Sequence, residues 1–158
     1  MSNTQAMCTS FLGELMTATH NFGTAPTRGT SAADTFKAAL YLASATINAS
    51  TTAYTVSGEV SGTGYSAGGV TVTNGTPPSS TNTSATAGTG YWTPSASITY
   101  TSVTLTTAFD TVLIYNSTQS DKAVSVHTFG SQTITAGTFT LTMPANTTST
   151  ALLRLATT

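Results

Sequence analysis

Apolar residues recur every fourth position near the start of the chain. Met7, Phe11 and Leu15 form one row, and Cys8, Leu12 and Met16 form the next. That spacing predicts an apolar stripe on one short helix over roughly residues 3–17, despite Gly13. Ser2 and Gln5, three positions apart, match a capping box at its start. The stripe either packs on its own domain or docks on a neighbouring subunit, as helices do in apolar grooves. Residues 20–33 read as loop, broken by Gly23, Pro26 and Gly29.

From Asp34 the period falls to two. Phe36, Ala38, Leu40 and Leu42 alternate with Lys37, Ala39 and Tyr41, which predicts a strand with one buried face, although the alanines also suit a helix. Residues 46–54 read as a loop or a turn of helix, and residues 58–69 are dense in glycine, with Val60 and Tyr65 as anchors. Val70 and Val72 lead to Asn74-Gly75, but Pro77 and Pro78 argue against a tight hairpin there. Residues 76–97 carry little pattern and read as a long surface loop around Tyr91-Trp92. Short strands then follow at Ile98–Leu105, Val112–Tyr115, Ala123–Phe129, Thr138–Met143 and Ala151–Leu155. Regular short strands of this kind predict an all-β fold, an antiparallel β-sandwich or jelly roll with a short N-terminal helix. The division is an N-terminal helix and arm over residues 1–33, then a β-sandwich domain over residues 34–158.

Composition sharpens this picture. Only 6% of residues are charged, against roughly 25% in an ordinary soluble domain. Thr makes up roughly a quarter of the chain, and a β-branched hydroxyl residue suits a pleated surface. The formal net charge is −1, and the four basic residues Arg28, Lys37, Lys122 and Arg154 are scattered. A nucleic-acid groove needs such residues clustered, so no nucleic acid is expected as a partner. Weak electrostatic protection against association favours life in an assembly. The single cysteine, Cys8, excludes an intrachain disulfide and reads as a small buried thiol. Neither a signal-peptide pattern nor an apolar run of membrane-spanning length is present, so synthesis in a cytoplasm without export is expected. The sequons at Asn48, Asn74, Asn82, Asn116 and Asn146 are then chance products of a Ser/Thr-rich chain.

Several segments in order carry a resemblance: DTFKAALY over residues 34–41, EVSGTGY over 59–65 with Gly68-Gly69, Leu113-Ile114-Tyr115-Asn116, and Phe129-Gly130 followed by a strand to Met143. Together they resemble a family of small β-sandwich or jelly-roll virion structural proteins of tailed double-stranded DNA bacteriophages, of the head decoration or cement type. The likeness covers roughly residues 34–156. It implies assembly and attachment without catalysis. The N-terminal helix and the 76–97 loop fall outside it.

Candidate chemistry is sparse. Catalysis draws on histidines and carboxylates, and the chain has two histidines and five acidic residues. Alternation places His127 opposite Val126, as an outward polar residue. A Ser–His–Asp arrangement of His127 with Asp110 or Asp121 lacks a nucleophile elbow. The glycines of residues 58–69 lack the terminal Gly-Lys-Ser/Thr of a P-loop. No metal cluster, cofactor site or enzyme activity is expected. Lys37 and Arg154 read as outward charges on strands, with Glu59 or Asp34 as partners that could set register at a subunit contact.

The expectation is therefore a capsid decoration protein on the virion surface. It binds the major capsid protein shell from outside as a homo-oligomer, with a trimer favoured by the threefold sites of icosahedral shells. Met7, Phe11 and Leu15 are the candidate anchor. The alternative is a tail or fibre component in which Tyr91 and Trp92 stack on host surface glycans.

Overall fold

The computed structural model describes residues 3–16, 18–23, 33–81 and 88–156. The described chain is almost wholly β, with two antiparallel sheets packed against each other. Its elements are β1 (Ala6–Met7), α1 (Thr9–Met16), β2 (Phe36–Leu42), β3 (Val70–Thr71), β4 (Ser79–Ser80), β5 (Thr89–Trp92), β6 (Ile98–Asn116), β7 (Lys122–Leu141) and β8 (Leu153–Ala156). The larger sheet runs β1-β7-β6-β2-β3 and the smaller β4-β5-β8.

The expected helix over residues 3–17 is shorter, and its first part is a strand. Ala6 and Met7 pair with Val126 and Ser125 on the outer edge of β7, and the helix begins only at Thr9. Backbone groups beside an open sheet edge gain ladder bonds there, whereas the first turn of a short helix gains little in water. Cys8 lies between the two elements with no exposed surface, and burial, helped by the charge of Glu14, raises its thiol to about 11. The Ser2 half of the capping box lies outside the described residues.

Strand β2 occupies the expected positions, but Ala38, Ala39, Leu40 and Tyr41 are all buried, so both faces are covered. Its outer face lies under the glycine-rich segment. That segment bridges to β2 through Glu59 and Tyr41 and to β6 through Thr63 and Thr104, and the loop before it bridges to β7 through Ala53 and Lys122. Gly69 makes this possible: with φ +70° it passes so close to the Ala38 carbonyl that a Cβ would overlap it.

The separate strands expected at 98–105 and 112–115 are one nineteen-residue strand, and those at 123–129 and 138–143 one of twenty. Gly130-Ser131 and Ala136-Gly137, which read as turns, lie inside β7. Register shifts cluster between Tyr100 and Thr111 of β6, with positive φ at Ser102 and Ala136. Such bulges bend a strand without ending it. The bend gathers Phe109, Phe129 and Phe139 at centroid separations of 5.1–5.9 Å. Ile98 and Leu141 thereby line the same internal space as Val112 and Ile114. Residues 76–97 hold β4 and β5 rather than a structureless loop.

Candidate functional site

Two of the expected contact segments converge. Phe11 and Leu15 of α1, Tyr91 and Trp92 of β5, and Leu153 and Leu155 of β8 line one apolar groove of about 150 Å³ together with Phe22 and Pro78. The rows at i and i+4 bring Phe11 and Leu15 onto one helix face. Strand β5 carries both Tyr91 and Trp92, and its register with β8 sets Tyr91 opposite Arg154 and Trp92 opposite Leu153.

The residues serve different ends. Phe11 is 2% exposed and belongs to the core, its ring edge-on to Phe22 at 5.8 Å. Leu15 and Tyr91 are partly buried and Leu155 is 42% exposed, so these three offer the accessible apolar surface. Met7 is separated from them, being on β1 beside a different cleft. Trp92 is 2% exposed, edge-on to Phe22 at 4.7 Å and 6.1 Å from Phe36. Its indole N–H donates to Asn74 Oδ1 at 3.0 Å, while the Asn74 amide donates to the Phe22 carbonyl at 2.8 Å. An indole packed in this way has no open face for a sugar; both aromatics line the groove, and Tyr91 is the more exposed of the pair. Tyr91-Trp92 stood out in the sequence, but Leu155 did not, because nothing in the strand pattern of β8 says which neighbour it meets.

A second cleft, of about 440 Å³, lies between β1, the adjoining part of β7, and β8. His127 lines it and accepts or donates a 2.9 Å hydrogen bond with Ser125 through Nε2. The expectation of an outward histidine needs correction: His127 is half-buried and lines the cleft on the face it shares with Ser125. Burial depresses the imidazole to about 4, so it is neutral near pH 7. Among the described residues no carboxylate forms an ion pair with His127, and Asp110 instead accepts from Asn3 and Thr111. A Ser–His pair without an orienting third group is poorly set for nucleophilic attack.

The acidic residues suggested for subunit contacts are engaged within the chain. Glu59 accepts from Tyr54 and Tyr65 hydroxyls at 2.7 Å each and from the Gly68 amide at 2.8 Å. Burial, reinforced by the Glu59 carboxylate, pushes both phenols far above their ordinary range, and Tyr115 rises to about 12 by burial and the charge of Asp121. Asp34 accepts from Asn21, Asn116 and Gln119. Arg154 donates to the Ser149 carbonyl at 2.6 Å. Among the described residues no group of three or more His, Cys, Asp or Glu side chains is placed to hold a metal, and no helix is long and apolar enough to cross a membrane.

Comparison with known proteins gives no match among protein families, curated proteins or solved structures.

Proposed function

We propose that this protein is a non-enzymatic virion structural protein of a tailed phage, a capsid decoration protein that binds and stabilises the major capsid protein shell. The observation that carries the reading is the groove in which Leu15, Tyr91 and Leu155 present apolar surface on a chain rich in Ser and Thr. Such a groove is well suited to an apolar anchor of a partner, with uncharged Thr and Ser around it adding hydrogen bonds and little desolvation cost. Tyr91 and Leu155 sit on the paired strands β5 and β8, so docking orders few side chains and wastes little binding energy. Many weak copies on a repeating lattice then stabilise the shell by mass action. A homotrimer matches the threefold positions such a lattice offers.

The test is occupancy on expanded empty capsids. Tyr91→Ala and Leu155→Asp alter the groove and leave the core residues Phe11 and Trp92 in place. Both should reduce occupancy while far-UV circular dichroism stays unchanged. Unaltered occupancy for both would reject the groove as the contact. Electron microscopy of a tagged copy on intact virions tests placement: label on the head supports a decoration protein, and label on the tail favours a tail or fibre component that binds host glycans.

A further inference from the structure

The chain has one Asn-Gly pair, Asn74-Gly75, shortly after β3. Asparagine deamidates most readily before glycine, because the glycine nitrogen meets no side chain as it approaches the neighbouring amide. The Gly75 backbone nitrogen attacks Asn74 Cγ and a cyclic imide forms. The Cγ–Nδ2 bond breaks, the displaced nitrogen takes up the proton lost by the backbone amide, and ammonia leaves. Solvent water then opens the imide at either carbonyl, giving aspartate or isoaspartate at position 74.

Gly75 is exposed and Asn74 partly exposed, so solvent reaches the pair and burial does not guard it. Hydrogen bonds do. Gly75 N–H donates to Ser95 Oγ at 2.8 Å. That hydroxyl directs its own hydrogen at the Thr73 carbonyl, 3.1 Å away, so it meets Gly75 purely as an acceptor. On the other reacting group, Asn74 Nδ2 donates to the Phe22 carbonyl at 2.8 Å and Oδ1 accepts from the Trp92 indole N–H at 3.0 Å. Cyclisation removes the donors of two of these bonds: Gly75 loses its hydrogen and Nδ2 departs as ammonia. The Trp92 N–H polarises the amide carbonyl and on its own favours attack. Of three bonds of comparable net strength, two oppose the reaction.

The same contacts explain why a labile pair stands here. Asn74 serves a buried indole and the carbonyl of buried Phe22 with one planar amide. At Gly75 a Cβ would lie 2.7 Å from Ser95 Oγ and 3.3 Å from Ser95 Cβ, displacing the hydroxyl that Gly75 donates to.

We propose that Asn74-Gly75 is a latent deamidation site, kept closed in the folded chain by Ser95 and the Phe22 carbonyl and reactive when the segment after β3 opens locally. Modification removes the donor to the Phe22 carbonyl and sets a carboxylate against it. Isoaspartate also lengthens the main chain by a methylene beside the Gly75–Ser95 contact. Trp92 lines the apolar groove, so the change reaches the surface proposed for docking, although the chemistry does not depend on that role.

The full chain is incubated at neutral pH in heavy-oxygen water, which marks each hydrolysed imide, and peptides are mapped by mass spectrometry. Deamidation at Asn74 should be at least about tenfold slower in the folded chain than in the same chain held unfolded in guanidinium chloride. Ser95→Ala alters an exposed position and keeps the backbone N–H of residue 95 on the Thr73 carbonyl, 3.0 Å away. It should raise the folded-state rate about two- to tenfold, the worth of one hydrogen bond. Its denaturation midpoint should shift no more than for an ordinary surface change. A folded rate equal to or above the unfolded rate would overturn the proposal, as would an unaltered rate in Ser95→Ala. An acceleration that merely follows a fall in the midpoint assigns the reaction to global unfolding and overturns it too. Neither measurement involves a partner, so failure here is separable from failure of the docking assignment.

Discussion

Replacing Asn74 with alanine isolates one side chain that holds two layers together. Its amide joins the Phe22 carbonyl at 2.8 Å to the Trp92 indole N–H at 3.0 Å. The substitution deletes both partners and leaves a donor on a 2%-exposed indole and a carbonyl against the core. Each unsatisfied buried group costs about 1–3 kcal/mol. Asn74 is itself partly exposed, so water can enter and restore part of the loss. The net destabilisation is then about 1–3 kcal/mol rather than the sum. Urea unfolding followed by Trp92 emission measures it, with an unchanged m-value as the sign that only native-state stability moved. Asn74→Asp supplies the control: its carboxylate still accepts from Trp92 but repels the Phe22 carbonyl, so it should fall between wild type and alanine or below both. A loss under about 0.5 kcal/mol for Asn74→Ala, the range of ordinary surface changes, would refute the bridging role.

Other consequences follow from particular positions. Gly69→Ala forces a Cβ into the Ala38 carbonyl at φ +70° and should cost more than about 2 kcal/mol in chemical denaturation, while Gly130→Ala, with open space around it, should be neutral within about 1 kcal/mol. Phe109→Ala removes the ring that joins both arms of the bent hairpin and should cost about 3–5 kcal/mol, with the loss read in thermal melting. His127 is neutral and depressed to about 4 by burial, so the unfolded chain takes up a proton that the folded one refuses. Its contribution is complete above the unfolded value near about 6.5 and declines as pH falls toward about 4, by at most about 3 kcal/mol and less where cleft water reaches the ring. His127→Gln should flatten that slope in a stability–pH series.

How much of this was legible in the sequence depends on the range of the interaction. Strand β2 was readable because alternation at Phe36, Ala38 and Leu40 is a local signal, and the scarcity of charge with abundant Thr pointed to an all-β fold before any pairing was known. The buried thiol of Cys8 followed from residue type alone. The helix start did not, because whether residues 6 and 7 enter a helix or a strand depends on an open edge of β7 more than a hundred positions away. Gly130-Ser131 and Ala136-Gly137 carried turn chemistry, but the same positive-φ tolerance serves a bulge, and only the cross-strand partner distinguishes the two. The candidate contact residues show the same division. Periodicity placed Phe11 and Leu15 on one face, and composition singled out Tyr91-Trp92. Which of them face solvent, and that Leu155 joins them, was decided by the packing of α1, β5 and β8. The sequence by itself determined a β-structured, weakly charged chain with little acid–base chemistry, since each of those properties belongs to residues one at a time. Tertiary structure alone decided the bent hairpin and the groove, since each exists only when distant side chains share one desolvated space.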